Sequence, residues 1–206
     1  MDRPGAAQSI VIAAELAPPK SDADDIAFEA FDWAFGGAFI ARLNMNLRED
    51  KHWSYGARSI LYPAVGPRIY FAYAPVQTDK TKESIVEMDK ELRQAVADKP
   101  LTQEEIAAAK DGLTLTLPGE RETMNSVAGA IAEVVRYKLP QDYWDTYAGK
   151  IRTLTPEQIS TAAERYLKPQ NMVWVVVGDR AKIEAGIREL NIGEVQFLDA
   201  DGNLVE

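Results

Sequence analysis

Strand-patterned sequence lies near both ends of this chain and mostly helix-patterned sequence lies between, an order that suits one sheet in which the two ends meet. Ser9-Ile-Val-Ile-Ala-Ala-Glu-Leu16 reads as a strand closed by Pro18-Pro19. Asn171-Met-Val-Trp-Val-Val-Val177 reads as a buried strand ended by Gly178-Asp179. Two further strand-like runs, Tyr55 to Tyr62 and Arg68 to Pro75, flank the turn chemistry of Pro63 to Pro67 that antiparallel partners require. Ile69-Tyr-Phe-Ala-Tyr-Ala74 is apolar on both faces, which places that strand inside the sheet. The expected fold class is α+β.

The remaining sequence predicts helices. Ser21 or Asp22 can cap one running to about Phe35, with Ile26, Ala27, Ala30, Phe31 and Ala34 on one face, and Gly36-Gly37 breaks it. Phe39, Ile40, Leu43 and Leu47 stand at helical spacing in a second helix. Lys80 to Ala97 is a third, and Thr102-Gln-Glu-Glu105 is a capping box opening a fourth. Pro118-Gly119 interrupts before Glu122 to Tyr137, in which Val127, Ile131, Val134 and Val135 are expected to face inward. Tyr143 to Ile151 and a second capping box, Thr155-Pro-Glu-Gln158, follow, the latter helix ending near Leu167. A helix from about Ala181 to Leu190, a short strand Val195 to Leu198 and a turn at Asp199 to Gly202 finish the chain.

Composition removes several functions. Lys plus Arg total 23 against 32 Asp plus Glu, a net charge of -9, and no basic cluster offsets it, so nucleic acid is not an expected partner. No apolar run reaches the roughly 18 residues of a membrane span. With no cysteine and a single histidine, His52, the chain cannot build a thiolate site or a His-x-x-Glu-His zinc site, and no Gly-x-Ser-x-Gly elbow accompanies His52 for a nucleophilic triad. His52 as a metal ligand lacks any partner histidine, and Glu49 and Asp50 beside it read as surface charge.

The segment Phe35-Gly-Gly-Ala-Phe-Ile-Ala-Arg-Leu43, with Leu47-Arg48-Glu49 and Tyr55 beyond it, carries most of the chemistry. It sets a guanidinium and a phenol seven residues apart across a helix-to-strand junction, able to present two strong donors to one carbonyl oxygen. The plain alternatives are a solvated arginine complementing a helix dipole and a tyrosine packing in the core. Gly36-Gly37 lacks the Gly-x-Gly-x-x-Gly spacing of a nucleotide loop and suits a close meeting of two helices. Asn44 and Asn46 can hydrogen-bond a peptide backbone or simply lie on a helix surface.

Four stretches together resemble the pitrilysin/insulinase family of zinc metallopeptidases, the inverzincins, and within it the second of two homologous domains. They are Arg3-Pro-Gly-Ala-Ala-Gln-Ser9; Gly36-Gly37 with Arg42-Leu43; Leu47-Arg48-Glu49 with Tyr55; and Thr155-Pro-Glu157 with Tyr166-Leu167 and Val175-Val-Val-Gly-Asp179. The resemblance implies a two-layer sandwich, a mostly antiparallel sheet covered by helices, as in that family's half-domains. It implies that residues 1–206 are one domain, the zinc-free half of a two-domain peptidase, and a fragment of a longer protein with Met1 as an added start. It further implies that Arg48 and Tyr55 contact the substrate carbonyl, with Gly36, Gly37, Asn44, His52 and Trp53 around the substrate. Family members usually carry a glycine and then an apolar residue shortly before the tyrosine. His52-Trp53 stands there instead, changing the loop path or lining a pocket.

The implied partners are a zinc-bearing homologous domain, on the same or a neighbouring chain, and a peptide substrate, with a homo- or heterodimer possible. This chain holds no cofactor of its own, and zinc belongs to the partner domain. An alternative within the family is a catalytically inactive partner or scaffold subunit. Compartment is not legible from this end, although a bacterial extracytoplasmic or periplasmic setting is compatible with the family.

Overall fold

Strands from the two ends of the chain do pair. A computed structural model describes residues 1–205. In it β1 (Gln8–Ala17) lies between β3 (Arg68–Gln77) and β4 (Val173–Val177), antiparallel to both, and β2 (Arg58–Leu61) pairs with the far side of β3. The order is β2-β3-β1-β4. The register of β1 with β3 runs unbroken from Gln8 opposite Gln77 to Ala17 opposite Arg68. β3 is therefore interior, as its apolar sequence predicts. Its two-sided apolarity has a second meaning, because helices cover only one face of the sheet.

Of the two sheet edges, that of β4 is partly occupied by the first residues. The amino terminus donates to the Val176 carbonyl and the Arg3 amide to that of Gly178. β5 (Phe197–Leu198) pairs with β6 (Leu204–Val205) as a separate hairpin.

The helical layer begins with α1 (Asp25–Asp32), whose last turn widens into a π turn over Trp33–Gly37. α1 starts two residues later than it would if Asp22 capped it, since Asp22 accepts from the Asp24 amide and from Arg165 instead. α2 (Arg42–Asn44) runs on as a π-helical stretch, Met45–Asp50. The expected start at Phe39 is not realised. Ala38 is extended, and Phe39 and Ile40 lie outside the helix and exposed.

α3 (Thr81–Ala95), α4 (Gln103–Leu115), a short α5 (Leu117–Glu120), α6 (Met124–Tyr137), α7 (Tyr143–Thr153), α8 (Pro156–Tyr166) and α9 (Arg180–Glu189) follow. Both predicted capping boxes form, Thr102 with Glu105 and Thr155 with Gln158, each satisfying two otherwise orphaned amides. The inward assignment on α6 holds for Val134, which packs partly buried against the core, and is overturned for Val127, Ile131 and Val135, which are exposed; Ala130 is the helix's buried residue.

Between the layers, Phe28 of α1 stacks on Tyr166 of α8 at 4.4 Å between ring centroids and meets Tyr70 of β3 edge-on at 5.5 Å. Gly36 lets the π turn lie directly on β2, where a Cβ would come within 2.4 Å of the Ser59 backbone nitrogen. That is the close approach the glycine pair suggests, although the surface it meets is a strand rather than another helix.

Candidate functional site

Local backbone geometry positions the site. The π-helical stretch ends at Lys51, whose amide donates to the Asn46 carbonyl. His52 then adopts φ 58°, the left-handed region where glycine costs least. This explains why a glycine suits the position. Histidine is tolerated with its Nδ1 3.0 Å from the Arg48 carbonyl oxygen, so that the side chain engages the helix end.

The chain is next stitched to the end of β3. The Trp53 amide donates back to Leu47, the Gln77 amide donates to the Trp53 carbonyl, and Gln77 Nε2 donates to the His52 carbonyl at 3.0 Å. Ser54, buried, donates to the Pro75 carbonyl at 2.6 Å and accepts from the Gly56 amide. Trp53 packs its ring against the core.

Tyr55 sits at the apex of this stitched segment. The expected strand from Tyr55 is shorter than predicted: an isolated bridge joins Ser54 to Val76, and β2 proper begins at Arg58. Tyr55 is thus a loop residue, 84% exposed. Arg48, about one-third exposed, lays its guanidinium over the Phe39 ring at 4.5 Å and has Nε 3.3 Å from a Glu49 carboxylate oxygen. Arg48 and Tyr55 line one open cavity of about 400 Å³ with Glu49, His52, Trp53 and Gln77. Ser54 and Gln8, the first residue of β1, complete its wall.

The other residues named from the sequence lie outside this cavity. Gly36 serves the contact with β2, and Gly37 lies beside the Asp32 carbonyl. Asn44 is neither a surface residue nor a cavity wall. It is buried, donates from Nδ2 to the Phe39 carbonyl at 2.7 Å, and accepts at Oδ1 from the Ala57 amide at 3.0 Å. One side chain therefore ties down both the ring beneath Arg48 and the segment that carries Tyr55. Asn46 bonds Glu87 and Glu91 of α3. Phe39, Gln8 and Gln77 were missed by sequence reasoning; a cationic neighbour for the aromatic, and glutamines at strand ends, become meaningful only once the ends of β1 and β3 lie together.

Among the described residues no group of three His, Asp or Glu side chains is arranged to hold a metal ion. Among the same described residues no helix is long and apolar enough to cross a membrane. The cavity is lined by a guanidinium and a phenol, with the Glu49 carboxylate beside the first.

Comparison with known proteins bears on the family and the fold. The family model for the peptidase M16 inactive domain matches residues 1–113. No curated protein matches the chain. Among solved structures, a peptidase M16 inactive domain from Pseudomonas fluorescens is similar with a TM-score of 0.80 at 22% identity, over 87% of this chain and 42% of that one. An inactive peptidase domain from Bordetella parapertussis gives 0.70 at 16% identity, over 85% and 92%. The periplasmic protease PqqL from Escherichia coli gives 0.71 at 17% identity, over 87% and 20%. At these identities the likeness speaks for the fold. The chain spans less than half the length of the Pseudomonas relative.

Proposed function

Because this chain belongs to the peptidase M16 inactive-domain family, we propose that it is the metal-free, substrate-engaging half of a two-domain zinc metallopeptidase. In this reading zinc sits in a homologous partner domain and supplies the activated water. This chain's residues act on the other side of the bond. Arg48 and Tyr55 donate hydrogen bonds to the scissile carbonyl oxygen of an extended peptide, where negative charge develops as the amide is attacked. His52 and Trp53 wall the cavity beside them. Asn44 acts through others, fixing the Phe39 platform and the Tyr55 loop.

The observation that carries the reading is that both donors line one open cavity on a stitched backbone, and that the Tyr55 hydroxyl has no intramolecular partner among the described residues. Among the described residues Glu49 is the carboxylate paired with Arg48, 3.3 Å from its Nε, and a substrate oxygen would compete with it for the guanidinium.

The test is kinetic. In the assembly containing the zinc-bearing domain, Arg48→Ala and Tyr55→Phe should each lower kcat/KM by about 10²–10³. Zinc content measured by atomic absorption should not change. Wild-type turnover in both variants would reject the assignment and leave the alternative, an inactive partner subunit whose Arg48 and Tyr55 do no chemistry.

A further inference from the structure

At one end of the sheet two glutamines stand opposite each other, Gln8 on β1 and Gln77 on β3. Both are exposed, and both line the cavity of Arg48 and Tyr55. Their side chains are used differently. Gln77 Nε2 is spent on the His52 carbonyl at 3.0 Å, which ties that carboxamide to the loop. The Gln8 carboxamide has no hydrogen-bond partner among the described residues. Its backbone is nevertheless anchored. Just before it, the Thr78 amide donates to the Ala7 carbonyl and Thr78 Oγ1 donates to that of Ala6 at 2.9 Å.

The hydrogen-bond balance of the cavity gives this free carboxamide a use. An extended peptide brings one N–H for nearly every C=O. Arg48 can only donate, and a phenol bound to a carbonyl oxygen donates too, so both serve the carbonyl side. The acceptors beside them are largely engaged. Glu49 lies 3.3 Å from Arg48 Nε, and Ser54 is bonded to Pro75 and Gly56. His52 turns Nδ1 to the Arg48 carbonyl, which leaves Nε2 as an acceptor only while the ring is neutral. Gln8 offers an acceptor joined to a donor, both uncommitted.

We propose that Gln8 is a substrate-binding residue whose carboxamide pairs with the backbone N–H and C=O of one extended residue flanking the scissile bond. This inference rests on the reading of Arg48 and Tyr55 as contacts to the scissile carbonyl. In an antiparallel ladder two facing residues exchange both of their N–H···O bonds, so an extended residue presents its N–H and C=O to the same side. A carboxamide, with donor and acceptor on one carbon, takes both as a neighbouring strand would. The contact reads backbone and not side chain. It therefore holds the register of peptides of differing sequence, and it discriminates against proline at that one position, where the N–H is missing.

The test uses the assembly containing the zinc-bearing domain and a peptide cut at a single bond. In a substrate series, one amide at a time is replaced by an ester, the scissile bond excepted, so that one N–H is deleted in each. For wild type, one ester near the cleavage point should raise KM about 3- to 10-fold, the worth of a neutral hydrogen bond. Gln8→Ala should raise KM for the all-amide peptide by a similar factor with kcat unchanged, because the contact is equal in ground and transition states. That same ester should then cost the variant nothing more. Gln8 is exposed at a strand end, so circular dichroism and Tm should match wild type. An all-amide KM indifferent to Gln8→Ala, a loss seen only in kcat, or a factor that multiplies with every ester overturns this inference alone. Wild-type turnover in both Arg48→Ala and Tyr55→Phe overturns it together with the reading beneath it.

Discussion

Two charged regions of this molecule are built on opposite plans. Around α1 the charges are sunk and answered. Arg68, almost fully buried, meets Asp25 at 2.5 Å and donates from Nε to the Pro18 carbonyl, while Lys20 reaches the other oxygen of Asp25 at 3.0 Å and lies 3.7 Å from Glu29. Burial alone would lower the Lys20 ammonium pKa, but the Glu29 and Asp25 carboxylates outweigh it and hold the group protonated well above its ordinary range. At the end of the sheet the plan is reversed. The backbone from His52 to Ala57 is bonded at almost every step, yet Arg48 and Tyr55 both line an open cavity. Charge that is buried and paired serves the fold. Donors on a fixed backbone, held at most by one exposed carboxylate, are available for something else.

The largest break in that contrast should come from the buried side. Asp25→Ala strands both Arg68 and Lys20 without their shared carboxylate, and urea denaturation should report a loss of about 3–5 kcal/mol. A loss below about 1 kcal/mol would mean that water reaches and solvates this cluster.

A smaller and pH-dependent effect is expected at Asp32, which accepts from the Ser59 hydroxyl beneath the π turn. Burial pushes its carboxyl up to about 6 from 3.8, against the downward pull of that hydrogen bond. A carboxyl raised in the folded state supports the fold fully below the unfolded pKa and loses that support as pH rises through the folded one. Asp32→Asn should therefore match wild type near pH 4 and exceed it by about 3 kcal/mol above pH 7. Equal stability of the two proteins at both pH values would show the carboxyl to be solvated.

The smallest effect sharpens the comparison. Arg48→Met, at a surface position with one neighbouring carboxylate, should alter unfolding free energy by no more than about 0.5 kcal/mol while the kinetic defect predicted above for loss of this guanidinium remains. A stability cost near that of Asp25→Ala would put Arg48 with the structural charges.

Sequence reading recovered much of the fold because the evidence for it is local and repetitive. The run at Ser9 forms β1, that at Asn171 forms β4 from Val173 on, partly exposed rather than buried, and the boxes at Thr102 and Thr155 each carry their own two hydrogen bonds. It failed where the answer depends on what stands opposite. Periodicity on α6 correctly marks an apolar stripe, but it cannot say whether anything within the chain covers it. Asn44 reads as surface because burying an amide requires the Phe39 carbonyl and the Ala57 amide, which lie five and thirteen residues away in sequence. Tyr55 reads as strand because alternation continues past the point where pairing with β3 gives way to a single bridge. Arg48 and Tyr55 were located through family resemblance; periodicity alone gave them only bland roles.

The two hydrogen bonds of Asn44 have a mechanical consequence. Because the same amide grips the Phe39 loop, on whose ring Arg48 lies, and the segment that carries Tyr55, a displacement of one is passed to the other. The gap between guanidinium and phenol should then fluctuate less than either group's absolute position, so that an incoming ligand meets a pair of fingers already set to a fixed span.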